Sequence, residues 1–280
     1  MPTLLQALIQ AQSCGLDRLD AQLLLLHALD RPAQQRAWLL AHDDEELSAT
    51  AQSILSACVQ RRAGGEPLAY ITGHKEFFGL DLWVDARVLI PRPDTETLVE
   101  WALEVLPAQT PAMEPARVLD LGTGSGAIAL ALKVSRPELQ VSAMDVSEDA
   151  LAVARENAKR LRLEIDFRQG SWLSGVQEKY HAIVSNPPYI AEQDRHLEAL
   201  RHEPAQALSS GADGLHDIRQ IVVDASARLH SGGWLLLEHG FDQAETVRQL
   251  LFHAGFSSIQ SRNDLNGIER CTGGRTAQYK

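Results

Sequence analysis

The chain has 280 residues, a formal net charge of −11 and three cysteines. A chain of this length accommodates about two domains and buries roughly three-quarters of its unfolded surface, so it can form a substantial core. The excess of acidic residues argues against a large basic surface for a nucleic-acid backbone. A protein or a small molecule is therefore the favoured substrate.

The cysteines and the N-terminus limit the class of protein further. Cys14, Cys58 and Cys271 lie far apart and form no C-x-x-C pair, so the sequence indicates neither a disulfide framework nor a zinc site. The N-terminus lacks the basic start and apolar core of a signal peptide, and no apolar run approaches the roughly 20 residues of a membrane span. We therefore expect a cytoplasmic protein without a metal site or a membrane segment.

The first 73 residues are predicted to form a small helical bundle. Leucine, isoleucine and valine residues recur at helical spacing from Leu4 to Val59. The acidic run Asp43 to Glu46 is expected to lie in the first turn of a helix that ends at Gly64.

A β-hairpin is predicted to follow the bundle. Two short β-type runs between Glu76 and Val84 are separated by Gly79, which is typical of a hairpin. We assign this hairpin to a linker over residues 74–87, between an N-terminal domain of residues 1–73 and a second domain of residues 88–280.

From Val118 onward, short apolar runs alternate with amphipathic segments, which indicates an α/β fold with a mostly parallel sheet covered on both faces. The predicted strands lie near residues 117–121, 140–145, 165–168, 181–185, 233–238, 256–261 and 275–279. The predicted helices between them lie at residues 125–135, 148–161, 215–229 and 242–254. The segment between the last two strands has little helical periodicity, so we expect an antiparallel pair.

A glycine-rich turn, Gly122-Thr123-Gly124-Ser125-Gly126, follows the first of these strands. This is the place where α/β folds bind nucleotides. Gly122, Gly124 and Ala127 also match G-x-G-x-x-A, a weak signal for a dinucleotide such as NAD. We expect Asp120, just before the turn, to contact a cationic amino-acid group of the cofactor.

Two further residues are candidates for contacts with a nucleoside. Asp145 ends the second predicted strand, where a carboxylate can accept both ribose hydroxyls of NAD or of S-adenosylmethionine. A helix-capping or surface acid is the alternative for this residue. Trp172 follows the third strand, where it is either a wall against adenine or an ordinary packed tryptophan.

The tetrapeptide Asn186-Pro187-Pro188-Tyr189 at the end of the fourth predicted strand is the most informative motif. An asparagine amide offers an acceptor and a donor, whereas two prolines remove two backbone donors and leave carbonyl acceptors. Tyr189 adds an aromatic face. Such a corner suits a planar group that carries an NH2. A turn that merely closes a buried strand is the alternative, and the flanking Asn186 and Tyr189 argue against it.

Together these motifs resemble the class I S-adenosylmethionine-dependent methyltransferases, and more narrowly the protein-(glutamine-N5) methyltransferases of the HemK/PrmC family, which modify peptide-chain release factors. The resemblance also rests on the segments Gly65 to Tyr70, Ile90 to Glu96 and Glu238 to Gly240. It implies a Rossmann-like domain whose seven-stranded, mostly parallel sheet has an antiparallel last strand. It also implies that the helical N-terminal domain docks a protein substrate.

The resemblance further implies S-adenosylmethionine as cofactor and S-adenosylhomocysteine as product. The implied cofactor-binding residues are Gly122, Thr123, Gly124, Ser125, Gly126, Asp145, Trp172 and Asn186. The implied catalytic residues are Asn186, Pro187, Pro188 and Tyr189, which would act on the glutamine of the Gly-Gly-Gln loop of a release factor. No membrane and no direct nucleic-acid substrate is expected, and no role is assigned to His202 or Glu203.

Three other functions remain open from the residues alone. The same corner could hold the exocyclic amine of a flipped adenine or cytosine, although the acidic composition and the lack of a basic recognition domain argue against a nucleic-acid methyltransferase. A module that binds the cofactor without turnover is a second alternative, and an NAD oxidoreductase is the third.

Overall fold

The computed structural model describes residues 1–106 and 114–277. The chain divides into two compact units, Met1–His74 and Lys75–Lys280. None of the helices in these described residues is both long and apolar enough to cross a membrane. The roles assigned above to residues 1–73, 74–87 and 88–280 stay predictions.

The first unit is helical, as its leucine spacing predicts. Its α-helices are α1 (Leu4–Ser13), α2 (Arg18–Ala28), α3 (Arg36–Ala41), α4 (Ala49–Ala63) and α5 (Leu68–Thr72). Thr3, Asp17 and Ser48 cap α1, α2 and α4, because each side chain accepts a backbone N–H of the first turn. The apolar faces of the helices meet in a core that includes Leu24, Leu25, Leu26, Leu39 and Leu55.

The prediction that the acidic run Asp43 to Glu46 lies in the first turn of α4 is wrong. Residues 43–46 precede the helix, and Ser48 caps it instead. The backbone carbonyls of Asp43 and Glu45 accept from the N–H groups of Leu5 and Leu4. These carbonyls therefore satisfy the free donors of the first turn of α1, a tertiary contact that a local charge pattern does not reveal. The predicted helix end at Gly64 is confirmed.

The predicted hairpin is present, with strands β1 (His74–Phe77) and β2 (Leu80–Trp83), and all of it except His74 belongs to the second unit. Phe78 and Gly79 have φ values of 51° and 76°. Two consecutive positive φ values are typical of a tight hairpin turn whose twist matches that of the strands. Phe77 and Leu82 are buried in the core of this unit.

A seven-stranded sheet forms the centre of the second unit, in the order β5-β4-β3-β6-β7-β9-β8. Its strands are β3 (Arg117–Leu121), β4 (Gln140–Asp145), β5 (Asp166–Gln169), β6 (Tyr180–Ser185), β7 (Leu229–Glu238), β8 (Ser257–Asn263) and β9 (Glu269–Arg275). Strands β3 to β7 pair in parallel, whereas β9 is antiparallel to both β7 and β8. The predicted fold class is confirmed.

Helices cover both faces of this sheet. They are α6 (Glu96–Val105), α7 (Ala127–Ser135), α8 (Glu148–Leu161), α9 (His216–Arg228) and α10 (Ala244–His253). Val118 and Val184 face a core that contains residues of α6 and α7, whereas Leu119 and Ile183 face a core that contains residues of α9 and α10. This alternation follows from the two-residue period of a strand.

The predicted last strand, residues 275–279, is wrong. The strand lies at Glu269–Arg275, and residues 278–279 lie outside the described residues. Gly273 lies within this strand. A Cβ atom on this glycine would lie 2.5 Å from Leu236 Cδ2 and 2.9 Å from Trp101 Cη2, so glycine here allows close packing of α6 on the sheet.

Candidate active site

The site lies at the carboxyl edge of the sheet, next to β3. The chain places β4 on one side of β3 and β6 on the other, and ligands of open α/β sheets bind at such a reversal of strand order. A cavity of about 230 Å³ opens there. Among the predicted site residues, it is lined by Gly122, Gly124, Asp145, Trp172, Asn186 and Pro188.

The glycine turn forms one wall of this cavity. Gly122, Gly124 and Gly126 have φ values of 69°, 55° and 84°, a region that favours glycine. A Cβ atom on Gly122 would lie 3.3 Å from Cζ3 of Trp172. The missing side chain therefore lets the turn pack closely against the indole ring and leaves its backbone facing the cavity.

Asp145 joins the glycine turn to the end of β4. Its Oδ2 accepts from the backbone N–H of Gly124 at 2.9 Å, and its Oδ1 accepts from that of Ser147 at 2.9 Å. Each oxygen retains a lone pair for a ligand, since a carboxylate offers about four acceptor positions. Burial raises the pKa of Asp145, whereas these backbone donors act in the opposite direction.

Trp172 also lines the cavity and has an unusual backbone conformation. Its φ of 48° lies in the left-handed region, which costs a non-glycine residue roughly 1–2 kcal/mol. Its indole Nε1 donates to Oδ1 of Asp217 in the first turn of α9, at 3.0 Å. The ring is therefore held from both sides, by Asp217 and by the glycine turn.

The other predicted site residues do not line the cavity but support its walls. Thr123 Oγ1 donates to Oδ2 of Asp120 at 2.6 Å, and the backbone carbonyl of Ser125 accepts from the Asn157 side chain. Gly126 is the N-cap of α7. Pro187 is buried, and Tyr189 packs against the core.

Asp120 differs from the expectation that it meets a cationic group of a ligand. It is fully buried, and its Oδ2 accepts from Thr123 and from the backbone N–H of Ala129. Its Oδ1 has no hydrogen-bond partner among the described residues. Burial raises the pKa of Asp120 to about 7. The residue holds the glycine turn to α7.

The Asn186 corner faces the cavity from the end of β6. Asn186 Nδ2 donates to Thr95 Oγ1 at 3.2 Å. The Tyr189 hydroxyl donates to Oε1 of Glu238, the last residue of β7, at 3.4 Å. Burial raises the pKa values of both Tyr189 and Glu238, the latter to about 7. The corner therefore depends on Thr95 and Glu238, which lie on other elements.

Sequence reasoning missed two segments that complete the cavity. They are residues 87–89, and Pro204, Gln206 and Ala207 from the irregular region after β6. Glu203 ties the two together, since its Oε2 accepts from the backbone N–H of Ile90 at 3.1 Å and its Oε1 from the Arg92 guanidinium. More than 100 residues separate Glu203 from both partners, so no local pattern indicates the contact.

No group of three or more histidine, cysteine, aspartate or glutamate side chains suited to a metal ion occurs in residues 1–106 and 114–277. Three kinds of group line the cavity: a carboxylate that can accept hydrogen bonds from hydroxyl groups, an aromatic ring and a side-chain amide. These are the carboxylate of Asp145, the indole of Trp172 and the side chain of Asn186.

Comparisons with solved structures agree with this fold. A methyltransferase from Pyrococcus furiosus superposes with a TM-score of 0.55 at 17% identity, covering 79% of this chain and 98% of that one. The Thermus thermophilus 16S rRNA N2 G1207 methyltransferase, in complex with AdoMet and guanosine, gives 0.53 at 18% identity and covers 72% and 49%. The chain therefore has the class I methyltransferase fold.

Family models and curated relatives narrow the class. Residues 4–73 match the PrmC N-terminal domain, and residues 99–250 match the methyltransferase small domain. The release factor glutamine methyltransferase of Coxiella burnetii is 49% identical over 90% of both chains. That of Escherichia coli K12 is 43% identical over 98% of this chain and 97% of its own. The chain belongs to the release factor glutamine methyltransferase family.

Proposed function

We propose that this protein transfers a methyl group from S-adenosylmethionine to the side-chain amide nitrogen of the glutamine in the Gly-Gly-Gln loop of peptide-chain release factors, and releases S-adenosylhomocysteine. The observation that carries the proposal is the Asn186 amide at the cavity. Its nitrogen is bound to Thr95, so its oxygen is left to accept from a substrate amide. The curated relatives are named release factor glutamine methyltransferases, and we take the substrate from them. Because that substrate acts in translation, we place the protein in the cytoplasm.

The residues on the β3 and β4 side of the cavity suit S-adenosylmethionine. Asp145 has free acceptor positions for the ribose hydroxyls, and the Trp172 ring offers a flat apolar wall for adenine. At the same wall, the backbone of Gly122 and Gly124 faces the cavity without a covering side chain. Thr123, Ser125 and Gly126 hold this turn in shape. When bound, the cofactor supplies a methyl group that is already activated by the positive charge on its sulfur.

The substrate nitrogen is the difficult partner in this reaction. An amide nitrogen is a poor nucleophile because its lone pair is delocalised, as the rotational barrier of about 18–20 kcal/mol indicates. One hydrogen bond contributes only about 0.5–1.5 kcal/mol net. Well-oriented reactants, however, save roughly 7–11 kcal/mol. The enzyme must therefore work mainly by placing the nitrogen in line with the methyl group.

The Asn186 corner provides this placement. We assign Asn186 Oδ1 and the Pro187 carbonyl as acceptors for the two hydrogens of the substrate amide. Neither Pro187 nor Pro188 carries an N–H that would compete for these acceptors. Tyr189 supports the corner, since its hydroxyl is bound to Glu238 and its backbone carbonyl accepts from Gln243 Nε2 at 3.0 Å.

The N-terminal unit is proposed to dock the body of the release factor, and residues 74–87 to link it to the catalytic domain. Leu5 and Ile9 lie four residues apart on α1 and are 46% and 56% exposed. Such an exposed apolar pair suits a protein partner. Replacing both with serine should raise KM for the release factor and leave kcat unchanged. An unchanged KM would contradict docking at this helix face.

The function is tested by incubating the protein with labelled S-adenosylmethionine and a release factor, and by mapping the label by mass spectrometry. We expect one methyl group on the loop glutamine and none on a release factor in which that glutamine is alanine. Duplex DNA and RNA serve as parallel substrates. Label on nucleic acid alone would contradict the proposal.

A further inference from the structure

We propose that Asp217 accepts a hydrogen bond from the 6-amino group of the cofactor's adenine, and thereby selects adenine over a purine that lacks this amine. The inference rests on the proposed function, because that function supplies S-adenosylmethionine as the cofactor. Asp217 lines the same cavity as Trp172 and Asp145. It lies in the first turn of α9, 45 residues along the chain from Trp172.

The indole ring of Trp172 extends from the glycine turn to Asp217. Its Cζ3 end packs on Gly122, where an added Cβ atom would lie 3.3 Å away. Its Nε1 donates to Asp217 Oδ1 at 3.0 Å. Cζ3 and Nε1 are at opposite ends of an indole, so the glycine turn and Asp217 mark the two ends of this flat wall. Asp145 belongs to the first end, since it accepts from the N–H of Gly124.

This arrangement gives a nucleoside one direction along the wall. The ribose is assigned to Asp145, at the end of the glycine turn. A purine that stacks on the ring of Trp172 then extends toward Asp217. In adenine, the 6-amino group lies on the six-membered ring, away from the nitrogen that carries the sugar, and both of its hydrogens are donors. A carboxylate only accepts hydrogen bonds, so the carboxylate of Asp217 is complementary to this amine.

The second oxygen of Asp217 is available for this contact. One acceptor satisfies the single N–H of an indole. Asp217 Oδ1 supplies that acceptor, and Oδ2 forms no hydrogen bond with any of the described residues. Arg219, two residues further along α9, binds both oxygens of Asp213 instead. Holding Trp172 therefore accounts for one oxygen of Asp217 and leaves the other for a ligand.

Backbone contacts fix the position of the Asp217 carboxylate. The N–H of Asp217 donates to Ser210 Oγ at 2.8 Å, and the N–H of Ser210 donates to the carbonyl of Ile190 at 3.0 Å. Ser210 is buried. A negative charge is also favourable in the first turn of a helix. The carboxylate is therefore held in place before a ligand binds, which lowers the entropic cost of binding.

Asp217→Asn is designed to change this contact and to keep the wall. An indole N–H can only donate, so the new amide must turn its oxygen to Trp172 and its NH2 to the former place of Oδ2. The acceptor for the adenine amine thus becomes a donor. Asp224→Asn is the matched control, because it makes the same substitution at an exposed acid of the same helix.

Calorimetry then compares two ligands, S-adenosylhomocysteine and its analogue with hydrogen in place of the 6-amino group. The ratio of the two Kd values isolates the amine, since a general disturbance of the site weakens both ligands. We expect the wild type and Asp224→Asn to bind the analogue about tenfold or more weakly than S-adenosylhomocysteine, because a hydrogen bond to a charged acceptor is lost. In Asp217→Asn, the ratio should fall to within about threefold of one.

Asp217→Ala provides a second variant, in which the carboxylate is removed altogether and the ratio should also approach one. A ratio near one in the wild type would overturn the inference. So would a ratio in Asp217→Asn or Asp217→Ala equal to that of the wild type.

These binding measurements need no release factor. A wild type that discriminates between the two ligands but methylates no release factor would refute the proposed substrate and leave the role of Asp217 intact. A wild type that methylates the release factor but binds both ligands equally would refute the role of Asp217 alone.

Discussion

The two halves of the active-site edge differ in how far apart along the chain their interacting residues lie. On the side of β3 and β4, one short stretch of chain supplies the glycine turn and Asp145, and backbone groups make most of the contacts. On the side of β6 and β7, Asn186 depends on Thr95, which is 91 residues away, and Tyr189 depends on Glu238, which is 49 residues away. The half that we assign to the cofactor is therefore local, whereas the half that we assign to the substrate is assembled by the fold.

The buried carboxylates of the two halves sharpen the contrast. Burial raises the pKa values of Asp120 and Glu238 to about 7 in each case, and each residue has one oxygen without a partner among the described residues. Asp120 binds groups of its own turn and the helix that follows. Glu238 accepts from the hydroxyl of Tyr189, 49 residues away. The same electrostatic cost thus accompanies a local contact in one half and a contact between distant residues in the other.

The largest effect should come from removing the centre of the substrate half. We expect Asn186→Ala to lower kcat by about 10²- to 10³-fold, because an oriented acceptor at the reacting group is lost. The Kd for S-adenosylmethionine should change much less. Methyl transfer to a release factor measures kcat, and calorimetry measures Kd. Asn266→Ala, in the turn between β8 and β9, is the control, and near-normal kcat in Asn186→Ala would refute the assigned role.

A loss of affinity for S-adenosylmethionine is expected when the half on the side of β3 and β4 is altered. Asp145→Ala removes the acceptor for Gly124 and Ser147 and the carboxylate assigned to ribose. Hydrogen bonds to a charged group are worth about 1.5–3 kcal/mol each, so the Kd for S-adenosylmethionine should rise roughly 100-fold. Calorimetric titration checks this value against Asp149→Ala, an exposed acid on α8. Equal affinity in the two variants would show that Asp145 only caps its own loop.

A smaller change in the Kd for S-adenosylmethionine is expected when the link between residues 87–89 and residues 204–207 is broken. Glu203→Ala breaks the link to Ile90 and Arg92, so the segments at 87–89 and 204–207 can separate at the cavity. We expect roughly a tenfold rise in the Kd for S-adenosylmethionine and faster hydrogen exchange of the Ile90 N–H. Glu198→Ala, exposed in the same irregular region, should change neither quantity. Protection of Ile90 equal to that of the wild type would contradict this account.

The last prediction concerns stability and its pH dependence at Asp120 rather than binding or turnover. Because the folded-state pKa of about 7 lies above the unfolded value near 3.8, the folded protein holds a proton that the unfolded chain releases. The contribution of Asp120 to stability is therefore full below about pH 4 and is lost as the pH rises to about 7. The free energy of unfolding of the wild type, minus that of Asp120→Asn, should fall by about 1.4 kcal/mol per pH unit in this window. Denaturant titrations at pH 5 and pH 7 measure it, and a pH-independent difference would contradict the raised pKa.

Much of the fold follows from local pattern, and the exceptions have physical causes. Gly79 predicted the hairpin because glycine adopts a positive φ without steric cost, and the glycines after β3 predicted the turn for the same reason. The last strand was placed too far along the chain, and it contains Gly273, a glycine that allows close packing under Trp101. The acidic run before α4 was assigned to the wrong helix, because its backbone carbonyls accept from the first turn of α1.

By itself, the sequence determined the class of fold, the glycine turn, the acid that ends β4 and the Asn186 corner. Each of these features depends on residues that are neighbours along the chain. At such positions the backbone conformation and the two-residue period of a strand restrict which residue types can occur. Tertiary structure alone decided that Asn186 binds Thr95, that Tyr189 binds Glu238, and that Glu203 joins the two segments that complete the cavity. Hydrogen bonds between residues so far apart become possible only when packing brings their strands and loops together, so no local pattern records them.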